Sequence, residues 1–267
     1  MAASLQERTE RAPRDEGRSP GAVMDRLLLQ PNGLPKPPSR LWAWITAVLM
    51  VASLYMIFIY APIERTQGIP QKIFYFHVPL AWDAYLAFFF TLVGSIAYLK
   101  TGRARWDVLA HSAAEIGVVL TSLVLITGSI WGKTIWGTWW TWDARLTSTL
   151  VMWFIYVAYL MLRSAVGEND RGARYAAILG IVGFIDVPIV HMSVTWWRTL
   201  HPQPTVLNPA GPTLPGSMLA ALMVTLVTMT ILFFYLLRER MLIEHLRAEV
   251  HALTDRALEQ QLSEVDA

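Results

Sequence analysis

Long stretches of the chain between residues 42 and 237 contain no Lys, Arg, Asp or Glu. Charged residues make up only 16% of the 267 residues, whereas they make up about a quarter of a typical soluble domain. A helix that crosses a bilayer needs about 20 mostly apolar residues, because lipid offers no water to satisfy the backbone polar groups. The pattern therefore excludes an ordinary soluble enzyme, a nucleic-acid-binding protein and a disordered chain.

Six segments are long and apolar enough to cross a membrane. They are Trp42–Tyr60, Leu80–Leu99, Val108–Trp131, Thr147–Leu162, Tyr175–Val194 and Ser217–Leu237. The fourth is the shortest, and its helix could begin a few residues earlier. The sequence thus predicts an all-α polytopic membrane protein with six transmembrane helices, in contact with the lipid bilayer and not with nucleic acid.

Lys and Arg are distributed unevenly between the two sides of this predicted membrane domain. Both tails and the loops after the second and fourth segments carry 17 of the 22 basic residues, and the other three loops carry 5. The positive-inside rule places the basic side in the cytoplasm. Both termini are therefore predicted to be cytoplasmic, and a Trp-rich loop between helices three and four is predicted to face the outside.

The two tails differ in character, so the chain divides into three parts. Residues 1–40 are rich in Arg, Pro and Gly and are predicted to form a disordered cytoplasmic tail. Residues 41–238 form the membrane domain. Residues 239–267 predict a cytoplasmic amphipathic helix, because apolar residues recur at three- and four-residue steps. This last helix either docks on a partner or another copy, or lies along the membrane surface.

Tryptophans are concentrated in the outer loop between helices three and four. Six of the twelve lie in outer loops, and a run of five falls within twelve residues, namely Trp131, Trp136, Trp139, Trp140 and Trp142. Asp143 and Arg145 follow this run. Aromatic faces on a glycine-containing loop suit a large planar ligand, and an Arg suits its acidic edge. Alternatively, the run is an interfacial helix anchored by its Trp residues.

Two histidines lie near the outer ends of predicted helices. His77 directly precedes the second segment, and His191 lies near the outer end of the fifth. They are therefore expected at similar depth, where two neutral imidazoles could supply both axial ligands of a haem iron. A lone interfacial His is more often a headgroup contact, and His201, ten residues further on, is an alternative second ligand.

The same residues carry a resemblance to a known family. Residues 136–148 resemble the tryptophan-rich motif of the haem-handling protein superfamily of cytochrome c biogenesis. Residues 76–82 and 191–201 narrow the similarity to the CcmC type, haem exporter protein C of system I. The resemblance covers roughly residues 40 to 240.

This resemblance implies a function and a set of partners. The Trp-rich loop would hold haem b transiently at the periplasmic side of the bacterial inner membrane, with His77 and His191 as iron ligands. The partners implied are a periplasmic haem chaperone of the CcmE type, an ATP-binding cassette pair of the CcmA and CcmB types, and a small CcmD-type membrane subunit. Neither Cys nor a Gly-rich nucleotide loop is present, so haem transfer without hydrolysis is expected, and whether it counts as enzymatic stays open.

Three alternative functions predict different features of the sequence. A membrane b-type cytochrome needs haem ligands at two depths, and only one plausible pair is present. A transporter of another hydrophobic substrate would show broken helices and polar groups near the midplane, and would leave the Trp-rich loop without a role. A system II haem ligase shares the Trp motif but has more spans and histidines than this chain supplies.

Overall fold

The fold is a bundle of long α-helices, described by a computed structural model. The described residues are 39–166, 170–202, 206, 211 and 213–265. The helices are α1 (Arg40–Tyr55), α2 (Phe74–Thr101), α3 (Ala104–Trp136), α4 (Ala144–Val166), α5 (Asp170–Phe184), α6 (Asp186–Trp196) and α7 (Gly216–Val265). The predicted disordered tail, residues 1–40, lies almost wholly outside the described residues.

Six helical segments among the described residues are long and apolar enough to cross a membrane. They are Arg40–Tyr60, Ile69–Thr101, Ala104–Trp136, Ala144–Val166, Arg171–Trp196 and Gly216–Leu262. The described part of the chain contains no β-strand. The prediction of an all-α polytopic membrane protein with six spans is therefore confirmed, and α5 and α6 together form the fifth span.

Two helix boundaries differ from the prediction at the Trp-rich end of the bundle. A 3-10 turn at Ile69–Ile73 leads directly into α2, so His77 lies within a helix and does not precede it. Pro79 is tolerated near the beginning of α2, where its missing N–H removes one backbone hydrogen bond. The third helix continues to Trp136, so Trp131 and Trp136 are helical.

Helices α2 and α3 approach each other closely through small residues. A Cβ added at Gly94 would lie 2.8 Å from the carbonyl oxygen of Trp106 and 2.9 Å from the amide nitrogen of Ala110. On α3, a Cβ at Gly117 would lie 2.5 Å from the ring of Phe88. Small residues at helix contacts allow backbones to approach within a bilayer, where packing replaces the hydrophobic effect.

An aromatic cluster joins α4 to α2. The ring of Phe88 stacks on that of Tyr156, with centroids 3.6 Å apart and an angle of 10° between the planes. Met152 and Tyr159 are buried in the same cluster. This packing places the beginning of α4, and with it the end of the Trp-rich segment, beside α2.

The last helix continues beyond the membrane span without a break. It has 50 residues, which corresponds to about 75 Å, and Arg240 ties it to Glu115 of α3 through an Nη2–Oε1 distance of 2.8 Å. The predicted C-terminal helix is therefore an extension of this span. Its stripe of Leu246, Val250 and Leu253 is exposed, and its docking role stays a prediction.

Gly94→Ala tests the close contact between α2 and α3. The added methyl group meets backbone atoms that cannot move aside, so we expect the free energy of unfolding to fall by about 1–3 kcal/mol. Tryptophan fluorescence during thermal unfolding in detergent measures the change. Gly216→Ala is the matched control, because a Cβ there has nothing within 4 Å. Equal stability of the two variants would contradict the contact.

Candidate functional site

A cavity opens at the end of the bundle that carries the Trp-rich segment. Its volume is about 200 Å³, and it is open on one side. The walls come from α2, α3 and α4, from the connections before α2 and before α4, and from the segment after α6. Most of the lining is apolar, and its polar side chains include Gln67, His77, Arg145 and His201. Residues from widely separated parts of the sequence therefore meet here.

His77 occupies the cavity wall from the first turn of α2. Its Nδ1 lies 2.9 Å from Oγ1 of Thr127 on α3, and its ring meets Trp131 edge to face at 5.9 Å between centroids. The Thr127 hydroxyl donates its own proton to the Leu123 carbonyl at 2.7 Å. Because that proton is used, the hydroxyl accepts from His77, and the network assigns the imidazole proton to Nδ1. Nε2 keeps its lone pair.

His201 lines the same cavity from the segment after α6. Its Nδ1 lies 3.1 Å from the carbonyl oxygen of Pro202, which only accepts, so Nδ1 again carries the proton. Desolvation, together with a smaller effect of the Arg145 guanidinium, lowers the pKa of His201 to about 4. The imidazole is therefore neutral at pH 7, and its Nε2 is available to a ligand.

His191, the second ligand predicted from the sequence, is not among the residues that line the cavity. It is exposed on α6, and its ring contacts the edge of Tyr85 at 6.4 Å between centroids. Tyr85 follows His77 by eight residues on α2, a rise of about 12 Å. The structure thus brings His201, and not His191, to the wall that His77 occupies.

The five tryptophans divide into two groups. Those that line the cavity are Trp131, Trp136 and Trp140. The indole N–H of Trp131 donates to Oε1 of Gln67 at 3.0 Å, whereas that of Trp140 is buried with no acceptor among the described residues. Trp139 and Trp142 lie off the cavity wall and are 59% and 77% exposed. Three of the five tryptophans therefore line the cavity.

Asp143 joins the Trp-rich segment to the segment that carries His201. Its Oδ1 accepts from the backbone N–H of Leu146 at 3.0 Å, which caps the beginning of α4. Its Oδ2 accepts from the hydroxyl of Thr199 at 3.2 Å, and the same hydroxyl accepts from the backbone N–H of His201 at 2.9 Å. One carboxylate thus holds both loops around the cavity.

Arg145 is the cationic side chain of the cavity wall. Although Asp143 precedes it by two residues, no carboxylate forms an ion pair with Arg145 in the described part of the chain. The guanidinium is therefore available to an acidic ligand, and it presents paired N–H donors that match a carboxylate.

Sequence reasoning missed the hydroxyl groups that hold the two cavity histidines. The buried carboxylate of Asp83 on α2 bonds no histidine among the described residues, since its Oδ1 accepts from Thr230 of α7 at 3.0 Å. Thr127 lies 50 residues from His77, and no sequence spacing links the two. Only Thr199, two residues before His201, gave a local signal, because a threonine hydroxyl often bonds the backbone two residues on.

Comparisons with known proteins point to one family. The family model described as "Heme exporter protein C" matches residues 34–256. Heme exporter protein C of Bradyrhizobium diazoefficiens is 39% identical over 218 residues, which cover 80% of this chain and 82% of the relative. That of Haemophilus influenzae is 36% identical over 230 residues, covering 84% and 91%. A putative cytochrome c biosynthesis ccmC-like mitochondrial protein of Marchantia polymorpha is 35% identical over 202 residues, covering 75% and 84%.

Thr199→Val tests the link between Asp143 and the His201 segment. The variant loses one donor and one acceptor, so the local opening free energy should fall by about 1–3 kcal/mol for the two bonds. Hydrogen–deuterium exchange of a peptide covering 198–202 measures the change, and Thr199→Ser should restore slow exchange. Thr195→Val is the control, because among the described residues its hydroxyl bonds only the Met192 carbonyl. Unchanged exchange in Thr199→Val would rule the link out.

Proposed function

The chain belongs to the Heme exporter protein C family, and on that premise we propose that it delivers haem for cytochrome c biogenesis. Its membership confirms the resemblance found in the sequence. In this proposal, haem b is cargo that the protein holds transiently at the periplasmic face of the bacterial inner membrane. The protein then passes it to a periplasmic haem chaperone of the CcmE type.

The observation that carries the proposal is a pair of neutral imidazoles on one cavity. His77 and His201 both line it, and each donates its Nδ1 proton to a protein oxygen. Both Nε2 atoms therefore have free lone pairs, which is the state that a metal-binding histidine needs. An iron atom between them would take one axial ligand from a helix and one from a loop.

The pairing with His201 is preferred to the pairing with His191 because His201 lines the same cavity as His77 and His191 does not. Two axial ligands share one iron, so their nitrogens must lie within about 4 Å of each other, given metal–imidazole bonds of about 2 Å. His191 packs on Tyr85, about 12 Å along α2 from His77. Tyr85 lines the cavity but His191 does not, whereas His201 lines it together with His77.

The remaining walls match the other parts of a porphyrin. Trp131, Trp136 and Trp140 provide flat apolar faces beside the macrocycle. Arg145 has no carboxylate partner among the described residues, and it suits a propionate. The buried N–H of Trp140 also lacks an acceptor in the part of the chain described, and a ligand oxygen would satisfy it.

The shape of the cavity supports transfer more than storage. Its volume of about 200 Å³ is smaller than the roughly 300–1,000 Å³ of pockets that bury most of a ligand. A haem held between the two imidazoles would therefore keep one edge outside the protein. The exposed rings of Trp139 and Trp142 lie off the cavity wall, where they can contact that edge or the chaperone.

The proposed partners supply what this chain does not. The described cavity contains no side chain that would attack haem covalently, so the chaperone attaches haem through its own histidine. Nucleotide hydrolysis belongs to a CcmA- and CcmB-type pair, and a CcmD-type subunit completes the complex. These assignments rest on the family and on the absence of a nucleotide-binding loop from the sequence.

An electron-transfer role would need a second haem site toward the other end of the bundle. There His111 lies 3.5 Å from Glu115, and Glu115 is bonded to Arg240. Among the described residues, His111 therefore lies beside a carboxylate that pairs with a guanidinium, unlike the mostly apolar wall around His77, and this difference favours haem delivery over a b-type cytochrome.

His77→Ala and His201→Ala test the axial ligands. Wild-type protein purified in detergent should carry haem with a six-coordinate bis-imidazole absorption spectrum, and each variant should lose it because one iron ligand is removed. His191→Ala is the matched control and should keep the wild-type spectrum. Loss in His191→Ala with retention in His201→Ala would reverse the pairing, and retention in both cavity variants would refute the ligand assignment.

Arg145→Gln tests the proposed propionate contact. A charge-assisted hydrogen bond contributes about 1.5–3 kcal/mol, so we expect haem affinity to fall by roughly 10- to 150-fold. Soret titration of apo-protein with haem gives the dissociation constant. Arg198→Gln, an exposed arginine off the cavity wall, should bind haem like the wild type. Equal affinities of the two variants would exclude Arg145 from the site.

A further inference from the structure

Two consecutive residues of α3, Thr127 and Gly128, pack against the imidazole of His77. We propose that Thr127 is a positioning residue, whose hydroxyl fixes the tautomer and the orientation of His77 so that Nε2 faces the iron. This inference rests on the proposed function and deepens it, because it names the group that prepares one iron ligand.

The proton of the hydroxyl decides the direction of the contact. Oγ1 of Thr127 lies 2.7 Å from the Leu123 carbonyl and 3.2 Å from that of Val124, and carbonyl oxygens only accept. The hydroxyl has one proton, which goes to these carbonyls. Toward His77, 2.9 Å away, it therefore acts as an acceptor. The opposite tautomer of His77 would place two lone pairs against each other.

The missing side chain of Gly128 leaves room for the imidazole ring of His77. A Cβ at this position would lie 3.1 Å from Cε1 of His77 and 3.8 Å from its Nδ1. A larger residue would therefore press on the same edge of the imidazole that Thr127 bonds. Thr127 thus gives the imidazole a polar contact, and Gly128 leaves space for its edge. Trp131 contacts the ring from the next turn of α3.

The hydrogen bond has a chemical consequence as well as a geometric one. An acceptor at Nδ1–H makes the imidazole more electron-rich and fixes its plane, and outer partners of this kind change metal affinity by 10- to 100-fold when removed. A more electron-rich ligand also stabilises ferric over ferrous iron, which lowers the reduction potential. His201 has the corresponding partner in the Pro202 carbonyl, which no side-chain substitution removes.

Thr127→Val tests the proposal, because it removes the hydroxyl and keeps the shape. Full-length protein is titrated with haem, and the midpoint potential and low-spin ferric electron paramagnetic resonance signal of the loaded protein are recorded. We expect 10- to 100-fold weaker haem binding, a shift of the potential to a more positive value and altered g-values. Thr127→Ser should return all three toward the wild type, since it keeps the hydroxyl.

Thr225→Val is the matched control. Its hydroxyl is buried and bonds the carbonyl four residues earlier, at 2.9 Å, but it does not line the cavity. It should leave affinity and potential unchanged. If Thr127→Val folds poorly, Thr127→Ala and Thr127→Ser give the same comparison on the fraction that loads with haem.

The outcomes separate this inference from the proposed function. Wild-type affinity, potential and g-values in Thr127→Val, together with loss of the spectrum in His77→Ala, would overturn the role of Thr127 and leave the ligand assignment in place. An unchanged spectrum in His77→Ala would overturn both. A changed affinity with an unchanged potential and g-values would also refute the positioning role, because it would indicate a packing effect alone.

Discussion

The site depends on the contact between α2 and α3, and three glycines define that contact. Gly94 of α2 meets the backbone of Trp106 and Ala110, Gly117 of α3 meets Phe88, and Gly128 of α3 meets His77. These contacts follow one antiparallel register along the two helices. The last of them holds the imidazole that lines the cavity. The packing that holds the bundle together therefore also sets the position of His77, because neither helix can shift without closing one of the gaps.

The other half of the cavity has a different basis, since His201 lies on a segment between helices. Its position rests on hydrogen bonds, through Thr199, to the carboxylate that caps α4. Asp143 thus does two tasks at once: it begins a helix and holds the neighbouring segment. Asp143, the aspartate of the Trp-rich motif, therefore has a structural role. Arg145, two residues later, has no carboxylate partner among the described residues and lines the cavity.

Sequence alone predicted the six spans, because charge-poor apolar stretches of membrane length leave few other folds. It also predicted that His77, Arg145 and five tryptophans lie together at one end of the bundle, and of these Trp139 and Trp142 do not line the cavity. It chose His191 over His201 as the second ligand, because position near a helix end gives the depth of a residue but not which side of the helix lines the cavity. Thr127 was invisible for a further reason: its partner lies on another helix, and only packing brings the two together.

The unequal support of the two histidines fits the transfer that we propose for this chain. His77 is fixed by packed helices, whereas His201 is held by a few hydrogen bonds, each of which contributes about 0.5–1.5 kcal/mol net. Opening the His201 segment would remove one iron ligand and leave the bundle intact. A haem bound between them could therefore be released one ligand at a time, with His77 and the Trp walls retaining it until a partner imidazole takes the free position. Two equally rigid ligands would bind haem as firmly but would offer no such first step.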